Sequence, residues 1–402
     1  MIYLDNNATT RVAPEVLDAM QPYLSELYGN PSSAHTLGRK MKQGIEQARE
    51  HVAALIGAAD TSEIVFTSCG SESDNWAIRG VLRQNTNKKH VITTRVEHEA
   101  VRNLCNLLEN EGHEVTWLDV DRNGELDLDN LRAALRPDTA LVSIMLANNE
   151  TGVLFPIEEI GRIVHEDSEA MFHVDGVQAV GKIPIDLKSL EVDLFALSGH
   201  KLHAPQGVGA LYIRRGVNLP SFIIGGGQEQ GRRAGTSAVP NIVALGAACR
   251  LALNFDQHER VQSLRDQLED EILARISNAR LNGIADRAKR LPNTSNISFE
   301  YVEGENILMH LDQAGICVST GSACHSTTHE SSPTLRAMNV PYTTAQGSIR
   351  FSLGRYNTSQ EIRQTLDALP GIIQKLVKMS PYDKELNSSS SANLQVGKVG
   401  KT

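Results

Sequence analysis

The chain has 402 residues, of which 41% are apolar and 22% charged, and its formal net charge is -9 at pH 7. This length exceeds what one hydrophobic core usually serves, so we expect two domains. The acidic balance disfavours a surface that coats nucleic acid, and we expect no direct nucleic-acid partner.

The five cysteines form no CxxC pair and no Cys/His cluster with zinc-finger spacing. We therefore expect no metal site and no disulfides, a pattern that fits a reducing cytoplasm. The first residues lack the basic and apolar segments of a signal peptide. No apolar run approaches the roughly 20 residues of a membrane span, so no membrane partner is expected.

From residue 13 to about residue 240, strand-like stretches alternate with helix-like ones. This alternation predicts an α/β fold with a mostly parallel central sheet. Ligands of such sheets bind at the carboxyl ends of the strands. The predicted strands are 63–67, 90–95, 141–147, 170–174, 192–197 and 209–213, with helices at 72–84 and 101–111.

The rest of the chain predicts a second domain. Residues 240–278 indicate one long connecting helix. Strands at 294–299 and 348–353 and helices at 304–314 and 359–378 follow it. The tail from residue 380 is rich in serine and poor in large apolar residues, which predicts disorder.

Lys201 is the first candidate for chemistry. It ends the motif SGHK, directly after the strand-like run 192–197, and glycines follow it. A tight apolar setting lowers the pKa of a lysine and suits imine formation with an aldehyde such as pyridoxal phosphate (PLP). Most lysines are instead solvated surface residues, and the spacing alone leaves both interpretations open.

Polar residues follow other predicted strands. Asp175 could hold the pyridine nitrogen of PLP protonated, or could cap a helix. Gln178 comes one helical turn later and could face the same ring. His98 could stack on a ring and move protons, although a single histidine is more often structural.

Two glycine-containing segments suit anion binding. Gly70 and Ser71 lie in the segment that joins strand 63–67 to the helix at 72–84, where glycine and hydroxyls at a helix N-terminus can bind a phosphate. An ordinary helix cap is the alternative. Thr236 follows two arginines and a run of glycines, in a loop that could bind an anion or act as a solvated hinge.

Cys324 lies among Ser, Thr, Gly and His, a composition typical of an exposed loop. A buried structural cysteine would sit in an apolar run, as Cys249 does. Thiolate reactivity needs exposure, and a nearby histidine assists it. We therefore expect Cys324 to be a reactive thiol.

Taken together, the motifs resemble those of the cysteine desulfurases of the NifS/IscS family, and the likeness covers almost all of the chain except the tail. The residues 338–345 are slightly closer to the NifS-type branch. The motifs are LDNNATT (4–10), GNPSSAH (29–35), ANNETG (147–152), SGHK (198–201), RAGT (233–236) and GSAC (321–324).

This resemblance implies a PLP-dependent transferase of fold type I, α/β, with a mostly parallel sheet in a large domain and a smaller α+β domain. Residues 13–255 would form the large PLP-binding domain. Residues 1–12 and 256–379 would form the small domain, which carries the cysteine loop, and residues 380–402 the disordered tail.

The resemblance also assigns roles. Lys201 would form the Schiff base, Asp175 would pair with the pyridine nitrogen, and His98 would stack on the ring and take part in catalysis. Cys324 would attack the sulfur of L-cysteine and carry it as a persulfide. The other implied contacts are to the phenolic oxygen (Gln178, Asn149), to the phosphate (Gly70, Ser71, Ser198, His200 and Thr236 of the partner subunit of a homodimer) and to the substrate carboxylate (Arg350 with Asn149, or Arg355 as the alternative).

The implied product is L-alanine, and the implied partner is a sulfur acceptor such as an iron–sulfur scaffold. Whether a scaffold's cluster is transiently shared with Cys324 stays open, as does the pathway, because nitrogenase assembly, tRNA thiolation and DNA phosphorothioation also draw on this family. A selenocysteine lyase or another β-eliminating PLP enzyme is the alternative activity and need not use Cys324. A non-catalytic protein of the same fold is the alternative of a different class.

Overall fold

The computed structural model describes residues 1–320 and 331–379. Cys324 and the tail predicted to be disordered lie outside these residues. The described strands are β1 (Ile2–Tyr3), β2 (Ile64–Thr67), β3 (His90–Thr94), β4 (Glu114–Leu118), β5 (Thr139–Ser143), β6 (Met171–Asp175), β7 (Leu194–Ser198), β8 (Gly209–Ile213), β9 (Gly227–Gln228), β10 (Arg233–Ala234), β11 (Ala279–Leu281), β12 (Thr294–Phe299), β13 (Ile316–Cys317), β14 (Ser319–Thr320) and β15 (Ser348–Ser352).

Helices separate most of these strands. Short 3-10 turns, among them Gly199–Lys201, complete the structure. The described helices are α1 (Pro14–Met20), α2 (Pro22–Ser25), α3 (Thr36–Ile56), α4 (Gly70–Gln84), α5 (Glu99–Asn110), α6 (Leu128–Ala134), α7 (Ile157–Asp167), α8 (Val239–Ala252), α9 (Asp256–Arg275), α10 (Gly304–Gln313), α11 (Pro333–Ala337), α12 (Tyr342–Ala345) and α13 (Ser359–Met379).

Within the described part of the chain, seven strands form the central sheet, in the order β2-β8-β7-β6-β5-β3-β4. β8 is antiparallel to both of its neighbours, β2 and β7. The other pairings are parallel. The prediction of a mostly parallel sheet is confirmed.

Apolar side chains cover both faces of this sheet. Because strand residues alternate between faces, neighbours in β2 enter different cores: Phe66 packs with α3 and α8, whereas Val65 packs with α4 and α5. The strands are buried on both sides, as expected for a parallel sheet between helical layers.

A second sheet, whose described pairings are all antiparallel, lies beside the first, in the order β11-β12-β15-β14. Its core includes Phe299 and Phe351 and the apolar faces of α9, α10 and α13. The first strand of the chain, β1, pairs in parallel with β13 and contributes Ile2 to this core. The predicted domain boundaries at residues 12 and 255 stay a prediction.

The connecting segment differs from its prediction. In place of one helix over 240–278, α8 ends at Ala252 and α9 begins at Asp256. The break falls where the chain changes core, because α8 packs in the large core with Leu245 and α9 in the small core with Leu268. Uniform helical propensity could not reveal that change of partner.

Among residues 1–320 and 331–379, no helix is long and apolar enough to cross a membrane. The described cysteines, at positions 69, 105, 249 and 317, are free thiols.

Candidate active site

The largest cluster of predicted site residues surrounds one cavity of about 440 Å³ at the carboxyl ends of the central strands. Pockets of this size hold cofactors and small ligands. Among the predicted site residues that the structure describes, all except Thr236 and the alternative Arg355 line this cavity, namely Gly70, Ser71, His98, Asn149, Asp175, Gln178, Ser198, His200, Lys201 and Arg350.

One end of the cavity is the N-terminus of α4, which begins at Gly70. A Cβ at this position would lie 2.7 Å from Cγ2 of Val177, so only glycine fits there without movement. Cys69 caps the helix, since its Sγ accepts a hydrogen bond from the backbone N–H of Glu72 at 3.4 Å. The free N–H groups of the first turn can receive an anion.

The residues at the ends of the central strands, His98, Asp175, Ser198 and Lys201, form what we call the floor. Asp175 ends β6 and accepts a hydrogen bond from the backbone N–H of Val177 at 2.9 Å. Burial raises the pKa of Asp175, against the opposing effect of His98 and Lys201. A cationic ring nitrogen beside it would favour the carboxylate.

His98 and Lys201 complete the floor. His98 Nδ1 accepts a hydrogen bond from the backbone N–H of Ala100 at 3.2 Å, so the proton of the neutral ring lies on Nε2. Burial lowers the pKa of His98. Lys201 Nζ donates to the backbone oxygens of Asn7 and Ala8, the latter at 2.8 Å.

Next to Lys201, His200 Nδ1 lies 3.2 Å from Oγ1 of Thr9. Burial and the charge of Lys201 lower the pKa of His200 to about 4. His200 is therefore neutral at pH 7 and can donate a hydrogen bond to an anion without adding a charge.

The opposite side of the cavity, which we call the wall, consists of Asp5, Asn7 and Arg350. Arg350 lies on β15, and its guanidinium donates to Asp5 Oδ1 at 2.8 Å and to the backbone oxygen of Asn149 at 3.1 Å. Its Nε is buried and has no hydrogen-bond partner among the described residues. An unpaired N–H on a buried cation favours an anionic ligand.

Arg355, the alternative to Arg350, lies elsewhere. It lines a separate cavity of about 70 Å³, and its guanidinium carbon lies 5.9 Å from the ring centroid of Tyr356. Thr236 also lies outside the large cavity: it is exposed and lines a third cavity of about 190 Å³, with Thr67 and Gly207.

Asn7 was not predicted as a site residue, although it belongs to the LDNNATT motif. It is 1% exposed. Its backbone oxygen accepts hydrogen bonds from Lys201 and, at 3.0 Å, from Gln178. Its side-chain Nδ2 donates to the backbone oxygen of Asn149 at 3.2 Å and to Oγ1 of Thr294 at 2.9 Å. Asn7 thus connects the wall to the floor.

Two buried acids beneath the floor were also missed. Asp74, on α4, and Glu97, next to His98, both line the cavity. Burial raises the pKa of Glu97 to about 8. Burial, followed by the charges of Asp175 and Glu97, raises the pKa of Asp74. The sequence pattern around an acid does not by itself show whether that acid is buried or lies on the surface.

The cavity is also bordered by the residues on either side of the segment 321–330. Thr320 and Pro333 both line it. Glu150, in the turn that carries Asn149, accepts hydrogen bonds from Ser332 Oγ at 2.5 Å and Thr334 Oγ1 at 2.8 Å. These contacts fix the start of α11 against the cavity. Cys324 itself lies outside the described residues.

Known proteins are similar to this chain in both sequence and fold. The family model described as Aminotransferase class-V matches residues 2–365. A cysteine desulfurase of Trichormus azollae is 55% identical over 387 residues, 96% of this chain and 96% of the relative. The cysteine desulfurase NifS of Azotobacter vinelandii is 51% identical over 383 residues, 95% of this chain and 94% of the relative.

Solved structures agree. A NifS-like protein is 39% identical, with a TM-score of 0.87 over 93% of this chain and 100% of that one. SspA in complex with cysteine is 35% identical, with a TM-score of 0.79 over 89% of this chain and 100% of that one. The chain therefore belongs to the class-V aminotransferase family, among the NifS/IscS-type cysteine desulfurases.

Proposed function

We propose that the protein is a PLP-dependent cysteine desulfurase, which converts L-cysteine to L-alanine and holds the sulfur as a persulfide on Cys324. The observation that carries this proposal is the convergence of Lys201, Asp175, His98 and Arg350 on one cavity. The identity to cysteine desulfurases over nearly the whole chain supports the same activity.

The residues of the cavity fit PLP. Asp175 would hold the ring nitrogen, the N-terminus of α4 at Gly70 and Ser71 would hold the phosphate with Ser198 and His200, and Lys201 would meet the aldehyde. When bound, PLP supplies an aldehyde that reacts with amines and a protonated ring that withdraws electrons from an attached amino acid.

Arg350 would bind the carboxylate of cysteine through its guanidinium, with Asn149 beside it. Lys201, once released from the aldehyde, would move the proton at the α-carbon, because its Nζ is the amine on the floor of the cavity. His98 would cover the ring and exclude water from that face. A neutral His98, with its pKa lowered by burial, avoids repelling a cationic ring.

Cys324 would take the sulfur. A new S–S bond forms between Cys324 and the substrate as the Cβ–S bond breaks, and the electron pair of the broken bond stays on Cβ, which gains a proton to give alanine. Thr320 and Pro333, which precede and follow the residues around Cys324 in sequence, both line the cavity and support this role.

We further propose a homodimer in which Thr236 of the partner subunit reaches the PLP phosphate. Thr236 is exposed and lies outside the large cavity of its own chain, so it is available to another subunit. We also propose that the enzyme works in the cytoplasm and passes sulfur to an acceptor protein such as an iron–sulfur scaffold. The free thiols at the described cysteine positions suit a reducing compartment.

Heterodimers test the shared site. If Thr236 acts across the interface, pairing a Lys201→Ala subunit with a Thr236→Ala subunit leaves one intact site. Placing both changes in one subunit, paired with wild type, then damages both sites. Activity at limiting PLP should therefore be higher in the first heterodimer, and the reverse order would place Thr236 in the site of its own chain.

The activity is tested by mass spectrometry of the PLP-loaded protein after adding L-cysteine without reductant, with alanine quantified in the same sample. A gain of one sulfur atom on Cys324 together with alanine is expected. Alanine with unmodified Cys324 would indicate a lyase that releases sulfide or selenide directly. If neither alanine nor modified Cys324 is found, the protein is a non-catalytic member of this fold.

A further inference from the structure

Lys182 is a largely buried lysine to which the proposed function gives no role. Its Nζ lies 2.9 Å from Oε1 of Gln178 and 3.0 Å from Oδ1 of Asn7. Both partners are amide oxygens. Burial, followed by repulsion from Lys201 and Arg350, holds the pKa of Lys182 well below its usual value. A lysine in this setting serves as a hydrogen-bond donor and not as one half of an ion pair.

The amide of Gln178 has a different partner at each end. Its Oε1 accepts from Lys182, while its Nε2 donates to the backbone oxygen of Asn7 at 3.0 Å. Rotating the amide by half a turn would set Oε1 against that carbonyl oxygen, and neither oxygen can donate. It would also remove the acceptor for the hydrogen bond from Lys182. The two neighbours together select one orientation of the amide.

We propose that Lys182 is a positioning residue that locks the amide of Gln178, so that its NH2 group, and not its oxygen, serves the cofactor side of the cavity. This inference rests on the proposed function, in which Gln178 contacts the phenolic oxygen of PLP. A donor there would hydrogen-bond to the phenolic oxygen and weaken the hydrogen bond by which that oxygen holds the proton on the lysine nitrogen. The lock thus lets Lys201 lose that proton at lower pH.

The test is a pH titration of the visible absorption band of the PLP-loaded protein, without cysteine. Lys182→Met keeps much of the side-chain length but removes the donor, and the titration midpoint is expected to rise by about one pH unit, the tenfold change that one charge-assisted hydrogen bond supplies. Lys188→Met, at an exposed lysine in the same segment, is the matched control and should titrate like wild type.

A double-mutant cycle asks whether Lys182 acts through Gln178. Gln178→Leu removes the amide, so adding Lys182→Met to it should move the midpoint no further. An additional full shift in the double variant would show that Lys182 acts by another route and would overturn the proposal. If Lys182→Met does not fold, Lys182→Gln, which retains a donor, is expected to titrate close to wild type, and a full upward shift in it would also overturn the proposal.

The outcomes separate this inference from the proposed function. If wild type acquires no cofactor band, and borohydride leaves no stable pyridoxyl adduct on Lys201, the proposed function fails. If wild type binds PLP normally but Lys182→Met titrates identically, the proposed function stands and the role of Lys182 is rejected.

Discussion

The floor and the wall of the cavity differ in how the fold brings their residues together. Floor residues such as Asp175 and Ser198 end adjacent parallel strands of one sheet, so the topology of that sheet delivers them together. The wall joins residues 5–7 to β15, through the hydrogen bond that Arg350 donates to Asp5. The floor therefore depends on one local rule, whereas the wall depends on contacts between distant parts of the chain.

The two sides also differ in charge. Asp175 in the floor and Asp74 and Glu97 below it are buried acids, and burial raises their pKa values. The wall carries the guanidinium of Arg350, and Lys182 donates to the wall residue Asn7. A ligand between the two sides would face acids on one side and hydrogen-bond donors on the other. This difference supports the proposal that a ring nitrogen binds at the floor and a carboxylate at the wall.

Loss of Lys201 tests the floor most severely. Lys201→Ala removes the amine that we propose meets the aldehyde of PLP and moves the α-proton. Alanine formation from cysteine should fall by at least about a thousandfold, as expected for loss of a general base. Lys188→Met serves as the control for loss of a lysine charge, and retained turnover in Lys201→Ala would remove the lysine from the mechanism.

Arg350→Lys tests the wall separately. The change keeps the charge but loses the planar fork, so the KM for cysteine should rise roughly ten- to a hundredfold, with a smaller effect on kcat. Arg355→Lys is the matched control, because Arg355 lies in a different cavity. A larger KM effect at Arg355 than at Arg350 would transfer the carboxylate-binding role to Arg355.

Asn7→Ala tests the link between wall and floor. It removes the hydrogen bonds that the Asn7 side chain makes with Thr294 and Lys182 in the interior of the protein. The free energy of unfolding of the loaded protein should fall by about 1–3 kcal/mol. Denaturant unfolding measures this, with Asn130→Ala, at an exposed asparagine, as control. Equal stability of the two variants would mean that Asn7 is not a structural link.

Glu97→Gln tests the buried acids through the pH dependence of stability, with a small change expected at each pH step. The pKa of Glu97 is raised from 4.5 to about 8 by burial, so the stability it contributes is complete below 4.5 and is lost as pH rises toward 8. Wild type should lose about 1 kcal/mol per pH unit relative to Glu97→Gln across this window. Unfolding at a series of pH values measures it, and Glu158→Gln, at an exposed acid, should retain the wild-type slope.

The floor was predictable from sequence because strand ends carry it. Lys201, Asp175 and His98 each follow an apolar run, and the structure places all three at the cavity. Arg350 entered through the family resemblance, since its own strand offers no sign that residue 5 lies opposite it. The assignment of Cys324 stays a prediction.

Other features could not be read from local patterns. Lys182 resembles any loop lysine in sequence, and its role depends on the amides of Gln178 and Asn7, which the fold brings to it. The break between α8 and α9 follows from a change of core partner, which helical propensity does not encode. Tertiary context decides both cases.

The pairing of β1 with β13 sets the order in which the site can be completed during synthesis. Ile2 is synthesised more than 300 residues before its partner Ile316, and Asp5 waits longer still for Ser352. The large sheet can assemble while translation continues. A chain that stops before β15 can therefore build the floor, but it lacks Arg350 and the pairing that completes the wall.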